Sequence, residues 1–180
     1  MLTIVSRVLV IIFLAFAGGA VFAQNTANPS EIIYERYFLT TTKGNDIGFI
    51  HVLQRRTSDK DGSAVILTEK HVEQRFMRGN DRIEIIQDNS FAESPDGKPL
   101  RFSFNSSSKG ENVEITGEFN WKSGKISTNS VVNKIRKSKT IDIEDNILFP
   151  YGIERIYAQN RGKLFEYATI DPGIDLQIIK

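Results

Sequence analysis

Short turn signals at regular intervals constrain the fold of this chain more than any other feature. From residue 32 to about residue 143, runs rich in Ile, Val, Phe, Tyr and Thr alternate with clusters of Gly, Asn, Asp, Ser and Lys. The clusters lie at 43–46, 58–62, 79–81, 94–98, 109–112 and 122–125. Neighbouring runs joined by such short turns pair antiparallel, because a parallel pair needs a long crossover. The pattern predicts an antiparallel meander of about seven strands.

Several runs show the two-residue period of a half-buried strand. Apolar and polar residues alternate over 100–105 and again over 113–119. Gly117 falls in the apolar series of the second run, which predicts a sharp bend or close packing there. In the run from Val65 to Phe76 the apolar side changes near 68–72, which predicts a β-bulge or a strand that leaves the core.

The alternation of strand-like runs and turn clusters ends before residue 148. Phe149, Ile153, Ile156 and Tyr157 recur at the spacing of one helix face. Pro150 suits a first helical turn and Gly162 suits a stop, so we expect a helix over 150–160. Strand-like runs follow at 163–170 and 174–180. A twisted sheet with one amphipathic helix predicts a mainly β fold: a half-open antiparallel barrel packed on that helix.

The N-terminal segment has the features of a bacterial secretory signal. Arg7 is its only charge, an apolar run covers 8–17, and Val21 and Ala23 are small residues two apart. We therefore expect a signal peptide over 1–23 with cleavage before Gln24, and a periplasmic or secreted mature protein. An uncleaved anchor is the alternative, although ten apolar residues are short for a span of about 20 residues.

After cleavage we expect a flexible leader over 24–31 and one β-rich domain over 32–180. That domain is large enough to bury a core. Its last run ends abruptly in an apolar stretch, so the expectation includes truncation at the C-terminus.

Cysteine and charge counts exclude several function classes. The chain has no cysteine, which rules out disulfides, a thiol nucleophile, thiolate metal ligands and lipid attachment at a cysteine. Lys and Arg number 23 and Asp and Glu 22, and removal of Arg7 with the signal leaves them balanced. Net charge therefore gives no attraction to nucleic acid or to an anionic membrane.

Turn chemistry carries a resemblance to a known family. The hairpin around Lys43-Gly44-Asn45-Asp46-Ile47-Gly48, the tip at 76–80, the turn at 93–102 and Phe149-Pro150 resemble a β-module of exported bacterial proteins. That module precedes a transglutaminase-like domain. Its strand-and-helix layout is also similar to the half-barrel of periplasmic lipoprotein carriers. The resemblance covers most of 32–172 and implies the fold more than the function.

The missing cysteine limits what this resemblance implies. A transglutaminase-like enzyme needs a catalytic Cys with His and Asp, so that activity cannot reside in this chain. If such an enzyme exists, its catalytic domain is expected beyond Lys180.

The numerous aromatic residues suggest a core, with an apolar ligand cavity as the alternative. A curved sheet needs large side chains to fill it, and a gap between sheet and helix would admit an acyl chain. In that case the helix is a lid. The candidate ligand-binding residues are Phe149, Ile153, Ile156, Tyr157, Phe102, Phe104 and Phe119.

Two candidate metal sites are outweighed by simpler interpretations. A zinc site would need His51 and His71, with Glu69 and Glu73 beside His71, to meet on neighbouring strands. Alternating polar residues are, however, typical of a solvated strand face. The stretch 59–63 resembles part of a calcium loop, yet the positions of two further ligands hold Thr57 and Thr68. A hairpin turn is favoured there, and no metal or other cofactor is expected.

Basic residues cluster at Lys134, Arg136, Lys137 and Lys139. One interpretation is that this cluster, with 55–56, contacts anionic lipid heads or wall polymers. A charged sheet edge that blocks aggregation is the favoured interpretation.

The sequence favours a non-enzymatic envelope protein that binds an apolar ligand or a lipoprotein. One alternative is a recognition module of a larger envelope enzyme, with a polar binding face. A hydrolase that uses Glu114, Glu118, Asp142, Glu144 or Asp145 ranks last, because nothing in the sequence brings two carboxylates together.

Overall fold

The computed structural model describes residues 30–42, 45–161, 165–171 and 177–179. The expected signal peptide 1–23, the cleavage point before Gln24 and most of the leader 24–31 lie outside these ranges, as does Gly162. Within the described ranges no helix is long and apolar enough to cross a bilayer.

Eight strands form one sheet in which each pairs antiparallel with the next along the chain. They are β1 (Glu31–Thr42), β2 (Asn45–Ser58), β3 (Ala64–Arg78), β4 (Asp81–Glu93), β5 (Pro99–Ser108), β6 (Glu111–Asn120), β7 (Lys125–Val132) and β8 (Ile135–Asp142). β1 and β8 form the two edges, so the sheet does not close. The predicted mainly β, half-open antiparallel meander is confirmed.

The structure has one meander strand more than predicted, because a two-residue turn separates β7 from β8. Asn133 and Lys134 have φ values of 48° and 73°, the left-handed backbone that a tight hairpin turn requires. The Asn133 side chain accepts a hydrogen bond from the Asn112 backbone N–H (3.1 Å), and its own N–H donates to the Asn112 carbonyl (3.1 Å). The turn is therefore tied to the β5–β6 hairpin. It lacks a glycine, which is why the sequence pattern did not indicate it.

The bulge expected in β3 is absent. β3 pairs without a break with β2 and with β4, whereas register shifts occur between β1 and β2 and between β4 and β5. Adjacent Val65 and Ile66 are both fully buried. The start of the strand is therefore covered on both faces, whereas Met77 near its far end is 62% exposed, as expected of the alternative, a strand that leaves the core.

Strand register gives the sheet two faces with different chemistry. Phe91 pairs with Phe102, and Phe102 with Gly117; the side that carries them, together with Phe149, is called the helix face. Their sequence neighbours point to the opposite side, which is called the polar face. A Cβ on Gly117 would lie 2.2 Å from the Phe102 ring. The expected close packing at this glycine is confirmed.

Helix α1 (Pro150–Gln159) ends one residue before the predicted end. Phe149 precedes it in an extended conformation, with φ −112° and ψ 176°, and Pro150 opens the first turn. The Asn160 side chain donates to the Ile156 carbonyl (3.1 Å) and so helps to end the helix. The helix contacts β3 and β4.

The segment after α1 packs against the connection before it. Ile147 and Ala168 form a parallel bridge, and the Leu148 N–H donates to the Ala168 carbonyl (2.8 Å). The run predicted as a strand over 163–170 is not one at 165–167. Strand β9 covers Thr169–Asp171 and pairs with β10 (Gln177–Ile179). The prediction was wrong at 165–167, where the chain is irregular; the backbone hydrogen bonds to 146–148 begin at Ala168.

Candidate functional site

Phe149 lies at the centre of an aromatic cluster on the helix face. It is fully buried. Its ring centroid lies 5.0 Å from that of Phe91, 5.5 Å from Phe119 and 6.0 Å from Phe102, all edge to face. Phe104 packs against the same core, partly buried. The structure thus brings together the four phenylalanines of the candidate apolar site, as neighbours in one packed cluster.

The three helix residues of that candidate site differ in exposure. Ile153 and Ile156 are half-buried, whereas Tyr157 is 65% exposed. Tyr157 therefore lies at the rim of the helix face. Ligand binding by these residues stays a prediction.

A buried carboxylate that the sequence did not point to fixes α1 on the sheet. Glu93, at the end of β4, has no exposed surface. Its two oxygens accept hydrogen bonds from the backbone N–H groups of Gly152 (2.7 Å) and Tyr151 (3.0 Å). These are N–H groups of the first helical turn, which have no partner inside the helix. A carboxylate also suits the positive end of the helix dipole.

Burial raises the pKa of Glu93 to about 7, and its two hydrogen bonds to backbone N–H groups oppose that rise. The Tyr34 hydroxyl on β1 donates to the Glu154 carboxylate (3.1 Å). Burial, followed by the charge of Glu154, raises the pKa of Tyr34 to about 12. Two carboxylate contacts therefore link α1 to the sheet, and both serve its docking.

The two histidines meet on neighbouring strands as the sequence suggested, since His51 pairs directly with His71. Each is held by its own carboxylate: His51 Nε2 lies 2.8 Å from Glu35, and His71 Nδ1 lies 2.7 Å from Asp88. The Tyr37 ring stacks on His51 at 4.3 Å. Among the described residues, no group of three or more His, Cys, Asp or Glu side chains is arranged to hold a metal ion.

The Asp-rich stretch 59–63 forms the hairpin turn between β2 and β3. Asp61 accepts hydrogen bonds from the Ser63 N–H (2.9 Å) and hydroxyl (2.6 Å), which lower its pKa. Asp59 accepts from the Lys60 N–H (2.8 Å) and pairs with Arg101, and these contacts lower its pKa. Both carboxylates therefore stabilise the turn and its contact with β5.

The basic cluster lies on the β7–β8 turn and on the edge strand β8. Arg136, Lys137 and Lys139 are exposed, and β8 pairs on one side only, with β7. A row of charges on a free edge opposes pairing with another chain. The placement matches the expected charged edge.

The polar face carries three clefts that merge into one surface. The first, of 370 Å³, is lined by residues of β2 to β5, including His51, His71 and Ser103. The second, also 370 Å³, shares Ser90 and Ser103 with it and extends to Asn129 on β7. The third, of 440 Å³, shares Asp88 and Asn105 with the first and reaches the β7–β8 turn. At about 4.8 Å per strand the lined surface spans roughly 24 Å across the sheet.

Cross-strand register explains the centre of this surface. Ser90 pairs with Ser103, Ser103 with Thr116, and Thr116 with Asn129. Longer side chains stand on both sides of them, among them Arg101, Glu118, Asn105 and Glu114. Small polar side chains between larger ones leave an open groove that runs across the strands.

Comparison with protein-family models, curated proteins and solved structures finds no match to this chain. The resemblance to the β-module that precedes transglutaminase-like domains, and to lipoprotein-carrier half-barrels, therefore stays a prediction.

Proposed function

We propose that this chain is a non-enzymatic recognition module, exported to the bacterial envelope, whose polar face binds a polar polymer of that compartment. The three connected clefts on the polar face carry the proposal. Binding sites are concave surfaces that hold a few well-placed polar groups. The polar face offers such a surface, whereas the candidate phenylalanines on the helix face are packed in one cluster around Phe149.

The chemistry of the clefts favours recognition over catalysis. Several of their acids and bases are held in ion pairs, as in Asp88 with His71 and Arg101 with Asp59. The raised carboxyl pKa of the kind that catalytic acids need occurs at Glu93. Glu93, however, is buried under α1, where its oxygens accept hydrogen bonds from backbone N–H groups, and it lines none of the three clefts.

Filling the middle of the polar face tests this proposal. In Thr116→Arg a long side chain replaces a small one at the centre of the groove, on the solvent side of a strand, so the fold should persist. Purified protein is co-sedimented with isolated bacterial envelopes, and the bound fraction is measured. We expect Thr116→Arg to lower apparent affinity about tenfold or more, which corresponds to about 1.4 kcal/mol.

Thr140→Arg is the matched control. Thr140 is exposed on β8, does not line a cleft, and undergoes the same side-chain change. It should bind as the unchanged chain does. Equal binding by Thr116→Arg, or no binding by the unchanged chain, would count against the proposal.

An apolar ligand or lipoprotein is the second candidate, and the surface of β1 favours it. Ile32, Ile33, Tyr37, Phe38 and Leu39 on this edge strand are between 41% and 75% exposed. Exposed apolar patches of this kind mark sites of interaction with proteins or membranes. The Tyr34–Glu154 hydrogen bond places α1 beside β1. By strand register Phe38 lies on the same side of β1 as Tyr34, whereas Tyr37 and Leu39 lie on the polar face.

Mass spectrometry of organic extracts tests the second candidate. If it is correct, lipid co-purifies with the chain and is lost in Ile156→Asp, a charge on the half-buried side of α1. Gln159→Asp, at an exposed position of the same helix, should keep the lipid. The two variants are compared only if both melt like the unchanged chain. If the unchanged chain from native envelopes carries no lipid, this candidate is removed.

A further inference from the structure

The clefts of the polar face also indicate a class of ligand. On the basis of the proposed function, we infer that they bind a neutral oligosaccharide chain, whose hydroxyls donate hydrogen bonds to Glu114 and Glu118. Three properties of the lining carry this inference: its charge balance, its hydrogen-bonding groups and an aromatic ring at one end.

Charge in the clefts is close to balanced. Four carboxylates and three cations line them: Glu69, Asp88, Glu114, Glu118, Lys70, Arg101 and Lys134. A polyanion such as nucleic acid needs a clear excess of Lys and Arg, and a polycation needs the reverse. The balance favours an uncharged ligand.

The hydrogen-bonding groups favour hydroxyls over peptide groups. The backbone groups of β5, β6 and β7 are paired within the sheet, so the face offers side chains and not a free strand edge. Ser, Thr and Asn side chains each both donate and accept. A sugar hydroxyl does the same, so a glycan finds partners along the whole groove.

Glu114 and Glu118 are the strongest acceptors left for a ligand. They flank Thr116 on the polar face, and both are exposed. Neither side chain forms an ion pair or hydrogen bond with another residue in the described part of the chain. A carboxylate without a partner forms strong charge-assisted hydrogen bonds with hydroxyl donors.

An aromatic ring stands at the β1–β2 end of the clefts. Tyr37 is 67% exposed and stacks on His51, which lines the first cleft. An exposed ring with a polar tip offers a flat surface for the C–H face of a sugar. The lined surface, roughly 24 Å across, has room for several sugar units.

Isothermal titration with defined oligosaccharides tests this inference. The probes are cellohexaose and chitohexaose, with a heparin hexasaccharide and hexalysine as charged comparisons. We expect at least one neutral probe to bind, and the charged probes not to bind. Glu114→Gln and Glu118→Gln should each weaken binding about tenfold, since each replaces a charged acceptor with a neutral amide oxygen and so loses the charge assistance of one hydrogen bond.

Glu111→Gln, also on β6 but outside the clefts, is the matched control and should bind like the unchanged chain. The inference is overturned if neither neutral probe binds, if a charged probe binds instead, or if both cleft variants bind normally. In each of these cases, envelope binding that remains sensitive to Thr116→Arg would leave the proposed function standing. Envelope binding insensitive to that variant would remove the proposed function as well.

Discussion

Phe149→Ala should lower the free energy of unfolding by about 3–5 kcal/mol, the usual cost of truncating a buried Phe. Phe149 is fully buried and packs edge to face with three other rings. Those rings are held by β4, β5 and β6, whose pairing does not allow them to close over the cavity. Phe149 also directly precedes α1, so its loss weakens the anchoring of the helix on the sheet.

Urea unfolding followed by tryptophan fluorescence measures this effect, because Trp121 stacks on Phe119, which contacts Phe149. Tyr157→Ala is the control: it removes an aromatic side chain that is mostly exposed and should change stability by less than about 1 kcal/mol. If the two variants lose similar stability, Phe149 is not the centre of the core.

Deprotonation of Glu93 should lower the free energy of unfolding as pH rises from about 4.5 to 7. Burial raises its pKa from 4.5 to about 7, so the folded state holds a proton that the unfolded state has already released. The resulting stabilisation is complete below the unfolded pKa and is lost as pH rises through the folded pKa. A shift of this size corresponds to roughly 3 kcal/mol.

Glu93→Gln isolates this effect, since the amide oxygen can still accept a backbone N–H but does not titrate. The difference in unfolding free energy between the two proteins should change by roughly 3 kcal/mol between pH 4 and pH 8. The unchanged chain should become less stable relative to Glu93→Gln as pH rises. Asp59, Asp61 and Asp96 have lowered pKa values and act in the opposite direction. They are present in both proteins and cancel in the difference. Parallel pH curves for the two proteins would contradict the account of Glu93.

The features predictable from sequence are those encoded by neighbouring residues. Glycine-containing turns predicted the hairpins, and the spacing of Phe149, Ile153 and Ile156 predicted the helix. The Asn133-Lys134 turn was missed because its left-handed backbone is carried by two residues other than glycine. The predicted strand 163–170 was wrong at 165–167, and the local pattern did not show that the distant segment 146–148 provides the hydrogen-bond partners of Ala168.

The candidate site depends on contacts between distant residues, which no local pattern shows. Glu93 binds N–H groups that lie 58 and 59 residues further along the chain. The one local signal was its place two residues after Phe91, on the same face of β4 and therefore toward the core. The clefts need the register of several consecutive hairpins, although the alternation over 100–105 and 113–119 already marked one face as polar.

Hydroxyl-radical footprinting on isolated bacterial envelopes tests most directly which surface binds. The account predicts that oxidation of His51, His71 and Leu53, which line the first cleft, falls when the chain binds. Oxidation of Tyr157 and of Met77, both more than 60% exposed, should stay unchanged. Protection of Tyr157 and Phe38 with no change at His51 and His71 would contradict recognition by the polar face and place binding at α1 and β1.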